Sequence, residues 1–582
     1  MKNKRNDELK KFSYVKKMFF YQIKSNDLIT KKTIRPFWKH LFSILLISII
    51  IFSLSTLNFS FNYEGFKLFW QNIKDFFKFS TNSTYFQFGI KRNLFILSLI
   101  FFYKTFSLTL VGTFLGFVLA LLTSYFANKN TYKWYSLPIK LLILLLRSFP
   151  ELLYIYLFSG SKIFSNYLSL LFIYAWFTWL WLHKYFLEIY ENIDYSFYFI
   201  SIKQGNNRIR AFLKEIFSRV SNRFISLFFF SFESNIKWGT IISSLGVFGI
   251  GSLIDYANYS QNFTEMGIPI AILFSFLIFL EIIFYFINKY LLQANTKILN
   301  SKEYKYLLKK DIPFRSIIKS ILFFSIVIYS IIILSKLDYK IGKYGEIKEI
   351  FKYFFNPSFI NVNYAISSIF IELIPYSTLI SFLSFFVTLL LLPLTSRKLF
   401  NNKTSIIFKI INTFFRILPV IFIFYLFYPI FNSSLFLLII CLIFHSIFKN
   451  IKQINELIDN VDLNIINNFR KQGWNKFWIY TKFIMPYIKK DLISIFLFNF
   501  ELNTRNLITY SFLTKELTLG NLLNDSLNEK NLKIDEAFGY IWIIFIFIFL
   551  SNLIFYFINE ILIKQKYWNL LKIIIKNKKL SN

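Results

Sequence analysis

The chain is short of most of what polar chemistry uses. Among its 582 residues there is one cysteine, Cys441, so no disulfide framework forms within the chain. Three histidines, His40, His183 and His445, show no HExxH or other ligand spacing. A structural or catalytic metal site is therefore not expected. No GxxxxGK[ST] stretch occurs, so nucleotide is not bound here through a P-loop. Charged residues make up only 17% of the chain, too few to cover a soluble protein of this length. Without a His–Asp, Ser–His or metal constellation, the chain does not read as an enzyme.

What it has instead is apolar. Hydrophobic residues make up 55% of the chain and 79 residues are Phe. Runs of about 20 apolar residues, the length that crosses a bilayer core, recur throughout. The reading is an all-α polytopic membrane protein. Candidate spans lie near 41–57, 106–126, 138–159, 167–186, 224–245 and 268–290, then near 317–335, 370–393, 407–429, 435–449, 491–513 and 539–563. The basic segment 1–40 is too long for a signal peptide and has no small-residue cleavage site, so the first span is expected to be retained. Loops 58–105 and 336–369 are long and mixed in charge, as amphipathic helices on the membrane surface would be.

Negative charge is scarce: 31 acidic residues stand against 67 basic ones, a formal +36. Lys and Arg gather at the N-terminus, in alternate loops and in the tail KQKYWNLLKIIIKNKK. That is positive-inside patterning rather than a basic stripe interleaved with base-stacking aromatics, so no nucleic-acid partner is expected. The junction KYLLQANTKILNSKEYKYLLKK is rich in Lys, whereas the loop after 245 carries Asp255 and Glu265 and no Lys or Arg. Both termini and the junction are thus expected on the cytoplasmic side of the plasma membrane, with surplus cations at anionic headgroups of the lipid bilayer.

The chain repeats itself. EIYENIDYSFYFISIKQGNNRIRAFLKEIFSRVSNRFISLFFFSFESNIKWGTIIS, from Glu188, aligns without a gap to ELIDNVDLNIINNFRKQGWNKFWIYTKFIMPYIKKDLISIFLFNFELNTRNLITYS, from Glu456, with 17 of 56 positions identical. Shared composition would match Phe and Ile, but not Glu, Asp, KQG, Glu and Asn in register. The expected organisation is a first repeat over 41–300 and a second over 301–582, each with six spans. An even number of spans makes the repeats parallel, about a pseudo-twofold axis along the membrane normal, with a pathway between them.

Four constellations stand out. RSFPELLYIYLF (147–158) and RILPVIFIFYLF (416–427) place Arg147 and Arg416 three residues before Pro150 and Pro419, inside apolar runs. A cation there costs about 2.5–3.5 kcal/mol on insertion scales, so it should face protein or water, and the proline permits a kink. One reading is a positively biased passage for an anion; the other is a snorkelling arginine, or one bonded to loop carbonyls, beside an ordinary kink. FESNIK (232–237) and FELNTR (500–505) are the second pair. Glu233 and Lys237, like Glu501 and Arg505, share a helix face at i,i+4, with Arg147 or Arg416 as second partners, and Asn235 and Asn503 lie on another face. These residues are either a gate that exchanges partners or simple neutralisation and interhelical bonding. The third is the segment joining spans four and five, from Asp194 through Gln204 and Gly205, and from Asp462 through Gln472 and Gly473 to Pro486. A mid-segment Gly allows a turn between two short helices, where a soluble partner could dock or where lipid headgroups could hold a basic loop. The fourth is SSLGVFGIG (243–251), whose Gly246, Gly249 and Gly251 allow an outer turn and which lacks the context of a dinucleotide site.

Taken in order, these motifs resemble the permease subunits of bacterial ABC importers, most closely the phosphonate-type branch. That family's signature has an acidic turn, a Gly eleven residues later and often a Leu-Pro about thirteen further on. Asp194 to Gly205 and Asp462 to Gly473 keep the spacing, and Met485-Pro486 keeps the closing pair, where the first repeat has Phe217-Ser218. The resemblance implies a type I importer permease, with two permeases fused into one chain of about 12 helices. It implies that the Gly205 and Gly473 segments couple to two ATP-binding cassette subunits, which would carry ATP and Mg, so that no cofactor is bound by this chain. It implies a substrate-binding lipoprotein outside, and as cargo a phosphonate, a phosphate ester or another small anion, or a thiamine-type vitamin or its phosphates. Two departures are evident. FIS (199–201) and NNF (467–469) replace the Glu-Ala-Ala triplet, and no Gly-rich turn follows Ser511, which suggests that only the first repeat keeps the outer turn. The alternative is a proton-coupled secondary transporter on the twelve-span major-facilitator plan, with Glu233 or Glu501 as carrier.

Overall fold

The computed structural model describes residues 20–25, 28–85, 93–132, 135–160, 164–191, 193–244, 249–292, 301–339, 344–360, 362–400, 402–459, 461–527 and 533–558. The described chain is helical apart from an antiparallel hairpin, β1 (Phe20–Ser25) and β2 (Leu28–Ile34), in the basic segment for which no element was expected. Seven of the described helices are long and apolar enough to cross a membrane, or nine if each of two sharply bent pairs is one span.

The first half runs α1 (Pro36–Thr56), α2 (Tyr63–Phe76), α3 (Leu94–Phe126), α4 (Ser136–Ser148), α5 (Glu151–Ile155), α6 (Asn166–Glu191), α7 (Ser196–Lys203), α8 (Arg208–Phe212), α9 (Ser218–Ser244), α10 (Ile250–Tyr259) and α11 (Phe263–Phe286). The second runs α12 (Ser301–Ser335), α13 (Tyr344–Phe355), α14 (Val362–Ser368), α15 (Ile374–Thr395), α16 (Asn402–Ile417), α17 (Val420–Phe427), α18 (Ser434–Asp459), α19 (Leu463–Lys471), α20 (Lys476–Trp478), α21 (Met485–Tyr510), α22 (Leu519–Leu527) and α23 (Ile534–Phe557). A π-turn at Ile369–Leu373 joins α14 to α15 in one long helix. Helices α6, α9 and α21 also have the length of a span, and carry Lys184, Glu233 and Glu501 respectively.

Three expectations need correction. The span placed at 106–126 begins at Leu94, because 94–105 is as apolar as 106–126 and the Asn93 side chain accepts the Phe95 N–H at 2.9 Å, capping the helix. The expected loop 58–105 is correspondingly shorter and holds α2, as 336–360 holds α13. The spans at 138–159 and 407–429 are not kinked rods: each breaks, by 87° and 81°.

Each half leans on the other. Helix α1 lies along α15, where Tyr376 OH donates to Thr56 Oγ1 at 3.3 Å, and α12 lies along α3, with Phe114 and Phe323 5.9 Å apart. Before α2, the Asn62 N–H donates to Ile430 O at 2.8 Å, and the Asn432 N–H returns a bond to Ser60 O at 3.2 Å. Gly65 then packs on the Tyr428–Ile430 turn. Far from α7 and α19, one apolar cluster draws Leu152 and Leu153 from the first half, and Val420, Phe424, Leu519 and Leu523 from the second. Apolar burial therefore seals the interface at that end.

A Cβ at Gly65 would stand 1.8 Å from Pro429 O, a backbone atom that cannot step aside. Gly65→Leu is expected to cost about 1–3 kcal/mol, read as a lower unfolding temperature of the purified chain in lipid nanodiscs. An unchanged temperature would mean that α2 does not rest on this turn.

Candidate functional site

The two breaks follow from proline chemistry. Proline disfavours α conformation in the residue before it, so α4 ends at Ser148 with Phe149 extended at ψ 144°, and Pro150 starts α5 from ψ 148°. Pro419, at ψ 140°, does the same before α17. Arg147 and Arg416 thus sit in the last turns of α4 and α16, where the carbonyl ends of the helix dipole favour a cation.

Both arginines reach across to the other half. Arg416 Nη1 binds Glu233 Oε1 at 2.6 Å, and Arg147 Nη2 binds Glu501 Oε1. One helical turn on, Lys237 donates to Glu233 at 2.7 Å and to the Arg416 carbonyl at 3.1 Å. Arg505 repeats this with Glu501, at 3.2 Å, and with the Arg147 carbonyl. All four carboxylate and guanidinium groups are at most 11% exposed. Each i,i+4 pair thus shares an arginine, supplied by the opposite half.

Residues outside the expected set complete the layer. Glu281 of α11 takes the other face of Arg416, Nη2 to Oε2 at 2.7 Å, and Lys452 lies 3.6 Å from Glu281. Lys184 lies 3.6 Å from Glu501 Oε2. Buried Glu151 accepts from Thr509 Oγ1 at 3.4 Å. A repeat signal for Lys184 and Lys452 existed, since they stand 268 positions apart just before the aligned block. Glu281 has no repeat partner, but an acid inside FLIFLEIIFYF was a sign in itself.

Asn235 and Asn503 do not join this layer. Asn235 Nδ2 donates to Thr113 and Thr178 Oγ1, at 2.8 and 2.7 Å, tying α9 to α3 and α6. Asn503 donates to Ser381 Oγ at 2.9 Å and accepts from Ser446 Oγ at 2.9 Å, tying α21 to α15 and α18. Each trio is internal to its half, and the two are related by the same 268-residue shift.

At one end of the bundle lie the segments from Asp194 and Asp462. The Ser196 N–H and O–H both donate to Asp194, at 3.0 and 2.7 Å, which holds this exposed carboxyl below the usual carboxylate range. Asp462 caps α19 by accepting the Asn464 N–H at 2.9 Å. Both short helices end in the same motif: Gly205 N–H to Ile202 O with Asn206 N–H to Ser201 O, and Gly473 N–H to Arg470 O with Trp474 N–H to Phe469 O. This Schellman closure needs left-handed backbone, and Gly205 and Gly473 have φ of +91° and +84°. Gln204 and Gln472 precede them, exposed, and Pro486 stands in the first turn of α21, directly after a π-turn at Ile479–Ile484. Phe197, Phe199 and Ile200 are exposed on one segment, Phe477 and Trp478 on the other.

At the other end, Gly246 lies outside the described residues. The Gly249–Ile250 turn is held by the Ile250 N–H donating to Thr105 Oγ1 at 3.0 Å. A Cβ on Gly251 would meet Thr240 O at 2.5 Å, so α10 lies against α9 backbone to backbone. Contrary to expectation, the second half has the counterpart: a Cβ on Gly520 would meet Ile508 O at 2.3 Å, and Ile508 is the equivalent of Thr240. One extra residue before Gly520 hides the match from a gapless alignment.

Removing one member of a buried pair strands the other. Arg416→Met is expected to lose about 3–5 kcal/mol of stability, and Arg416→Met with Glu233→Gln to lose markedly less, by thermal or denaturant unfolding in nanodiscs. Losses that simply add would mean that the two side chains are independent.

Residues 112–297 and 390–566 each match the family described as "Binding-protein-dependent transport system inner membrane component". The chain is similar to a protein named "ABC transport system permease protein p69" in Mycoplasma genitalium, 30% identical over 508 residues, 85% of this chain and 89% of that one. The protein of the same name in Mycoplasma pneumoniae is 28% identical over 478 residues, 80% of this chain and 85% of that one. No solved structure gives a significant match. With the family's domain present twice and two halves that mirror each other in their breaks, turns and ion pairs, this chain belongs to the binding-protein-dependent transport system inner membrane components, as a fused two-half permease of an ABC transporter.

Proposed function

We propose that this permease is the membrane channel of an importer driven by two separate ATP-binding subunits, one seated on each of the segments around Gly205 and Gly473. A substrate-binding protein would deliver cargo at the opposite end, and both termini would lie in the cytoplasm. The observation that carries the reading is the duplicated short helix and glycine turn with exposed apolar side chains in equivalent places of both halves, Phe197 with Ile465 before the glycine and Ile209 with Phe477 after it. An exposed apolar patch at a rigid turn suits docking to a protein better than it suits solvent. Alternating access has its parts: an apolar seal at one end, and a crevice between halves, lined by Arg147, Trp181, Lys184 and Phe498, toward the other. Glu233 and Glu501 each carry cationic partners on two sides, which leaves neither free for the proton-carrier role of the secondary-transporter reading.

The proposed cargo is a small anion of the phosphonate or phosphate-ester type. Arg147 and Arg416 do not supply the charge for it, because each is paired with a glutamate. Its support is the phosphonate-type signature carried by Asp194 to Gly205 and Asp462 to Gly473.

The test is native mass spectrometry of the tagged chain, gently extracted from its own membranes. One copy carrying two ATP-binding subunits is expected. Gly473→Val forces a β-branched residue into left-handed backbone at about 1–2 kcal/mol and is expected to release the subunit on that half. Gly473→Asn, which tolerates that conformation, is expected to keep it. Repeated recovery of the unmodified chain without any ATP-binding subunit would overturn the reading.

A further inference from the structure

A short helix follows the first span of each half. Helix α1 is 21 residues long, about 31 Å, which matches the thickness of a bilayer core, and α2 begins at Tyr63 just beyond it. The apolar stretch Ile317–Ser335 of α12 is followed in the same way by α13. Both helices therefore lie near the level of the membrane surface, at the end away from α7 and α19.

Each has one packed face, and it rests on the break in the opposite half. On α2, Gly65 meets Pro429, while the Phe69 ring lies 5.0 Å from that of Phe427 and the Phe76 ring 5.2 Å from that of Phe422. All three partners belong to the arm that follows Pro419. On α13, the Phe354 ring lies 5.8 Å from that of Phe149, the extended residue before Pro150, and Ile350 is buried.

The remaining faces follow a fixed order. At about 100° per residue, the packed face of α2 leads round the helix to Phe66, Phe77, Trp70 and Tyr63, then to Lys74 and Lys67, then to Glu64 and Asp75. The four rings are 43% to 85% exposed. In the same sense of rotation, the packed face of α13 leads to Phe351 and Phe355, then to Lys348 and Lys352, then to Glu349. These two rings are 59% and 76% exposed. Leu68, exposed beyond the acids of α2, departs from the order. All four lysines are exposed, and none makes an ion pair among the described residues.

A layered solvent imposes such an order. Rings at the acyl boundary, ammonium groups at the phosphates and carboxylates in water are arranged by depth. Water alone leaves the aromatic stripe uncovered, and a protein partner has no need of the same order on both helices. Two lysines beside each stripe match a headgroup of net negative charge better than a zwitterionic one.

We propose that α2 and α13 are surface-lying anchors that bind anionic phospholipid in the leaflet away from α7 and α19. Lys67 and Lys74 would take the phosphate on one helix, Lys348 and Lys352 on the other. Because the packed face of each helix holds the broken corner of the other half, the bound lipid steadies both corners. The proposal needs only the membrane placement of the chain and is independent of its cargo.

The test attaches a bimane through Trp70→Cys in a Cys441→Ala chain, in nanodiscs, and measures quenching by lipids with a nitroxide near the headgroup end of the acyl chain. At equal mole fraction, nitroxide phosphatidylglycerol is expected to quench about fivefold more than nitroxide phosphatidylcholine. Lys67→Gln with Lys74→Gln is expected to remove that preference. A bimane attached through Glu64→Cys is expected to be little quenched by either lipid. If Trp70→Cys fails to fold by thermal melting, Phe355→Cys with Lys348→Gln and Lys352→Gln makes the same comparison. No quenching at position 70, or equally strong quenching at 64, would overturn the proposal and leave the stripe to a protein partner. Equal quenching by the two lipids, or a preference unmoved by the lysine substitutions, would overturn the anionic site.

Discussion

Everything central in this permease depends on two arginines that each pair with a carboxylate of the opposite half. Arg147 is answered by Glu501 and Arg416 by Glu233, so each half neutralises the other. A buried ion pair is a weak source of net stability, because desolvation consumes most of its attraction, but a broken one leaves a bare charge. The pairs therefore define how the halves sit more than how tightly they hold. Lys237 and Arg505 stand one turn from each glutamate and also hold the opposing arginine's carbonyl. Each glutamate, its i,i+4 cation and the opposing arginine thus form a closed set across the interface.

The symmetry is close enough that its exceptions have meaning. The same 268-residue shift relates the asparagine trios, the Schellman turns and the contacts of Lys184 with Phe498 and of Lys452 with Phe230. It slips by one at the Arg-Pro motifs, which stand 269 residues apart and set Glu151 against Val420, and Glu281 has no acidic counterpart in the second half. It also fails at the axis. Lys449 over Trp181 is a cation–π contact, which two identical residues at 181 and 449 could not make. Two halves in one chain can diverge at such a position; two copies of one subunit cannot.

The ends of the bundle differ in kind. Away from the Gly205 and Gly473 turns, the interface is closed by aliphatic and aromatic packing from both halves, which is non-directional. At those turns the backbone is locked by paired 6→1 and 5→2 hydrogen bonds. These turns lead on to α9 and α21, the helices that carry Glu233 and Glu501.

The sequence by itself determined the membrane class, the duplication, the glycine turns and the pairing of Glu233 with Lys237 and of Glu501 with Arg505. All of these are local or periodic, and so are written in spacing and composition. It read Pro150 and Pro419 as kinks where the extended backbone at each breaks the helix, and it missed Gly520 because one inserted residue moved the register. Only the tertiary structure decided that each arginine crosses to the other half, that Glu281, Lys184 and Lys452 complete the charged layer, and that Asn235 and Asn503 do not belong to it. The physical reason is that a charge inside an apolar bundle chooses its partner by distance in space, and residues more than 180 positions apart become neighbours only when the two halves close on each other.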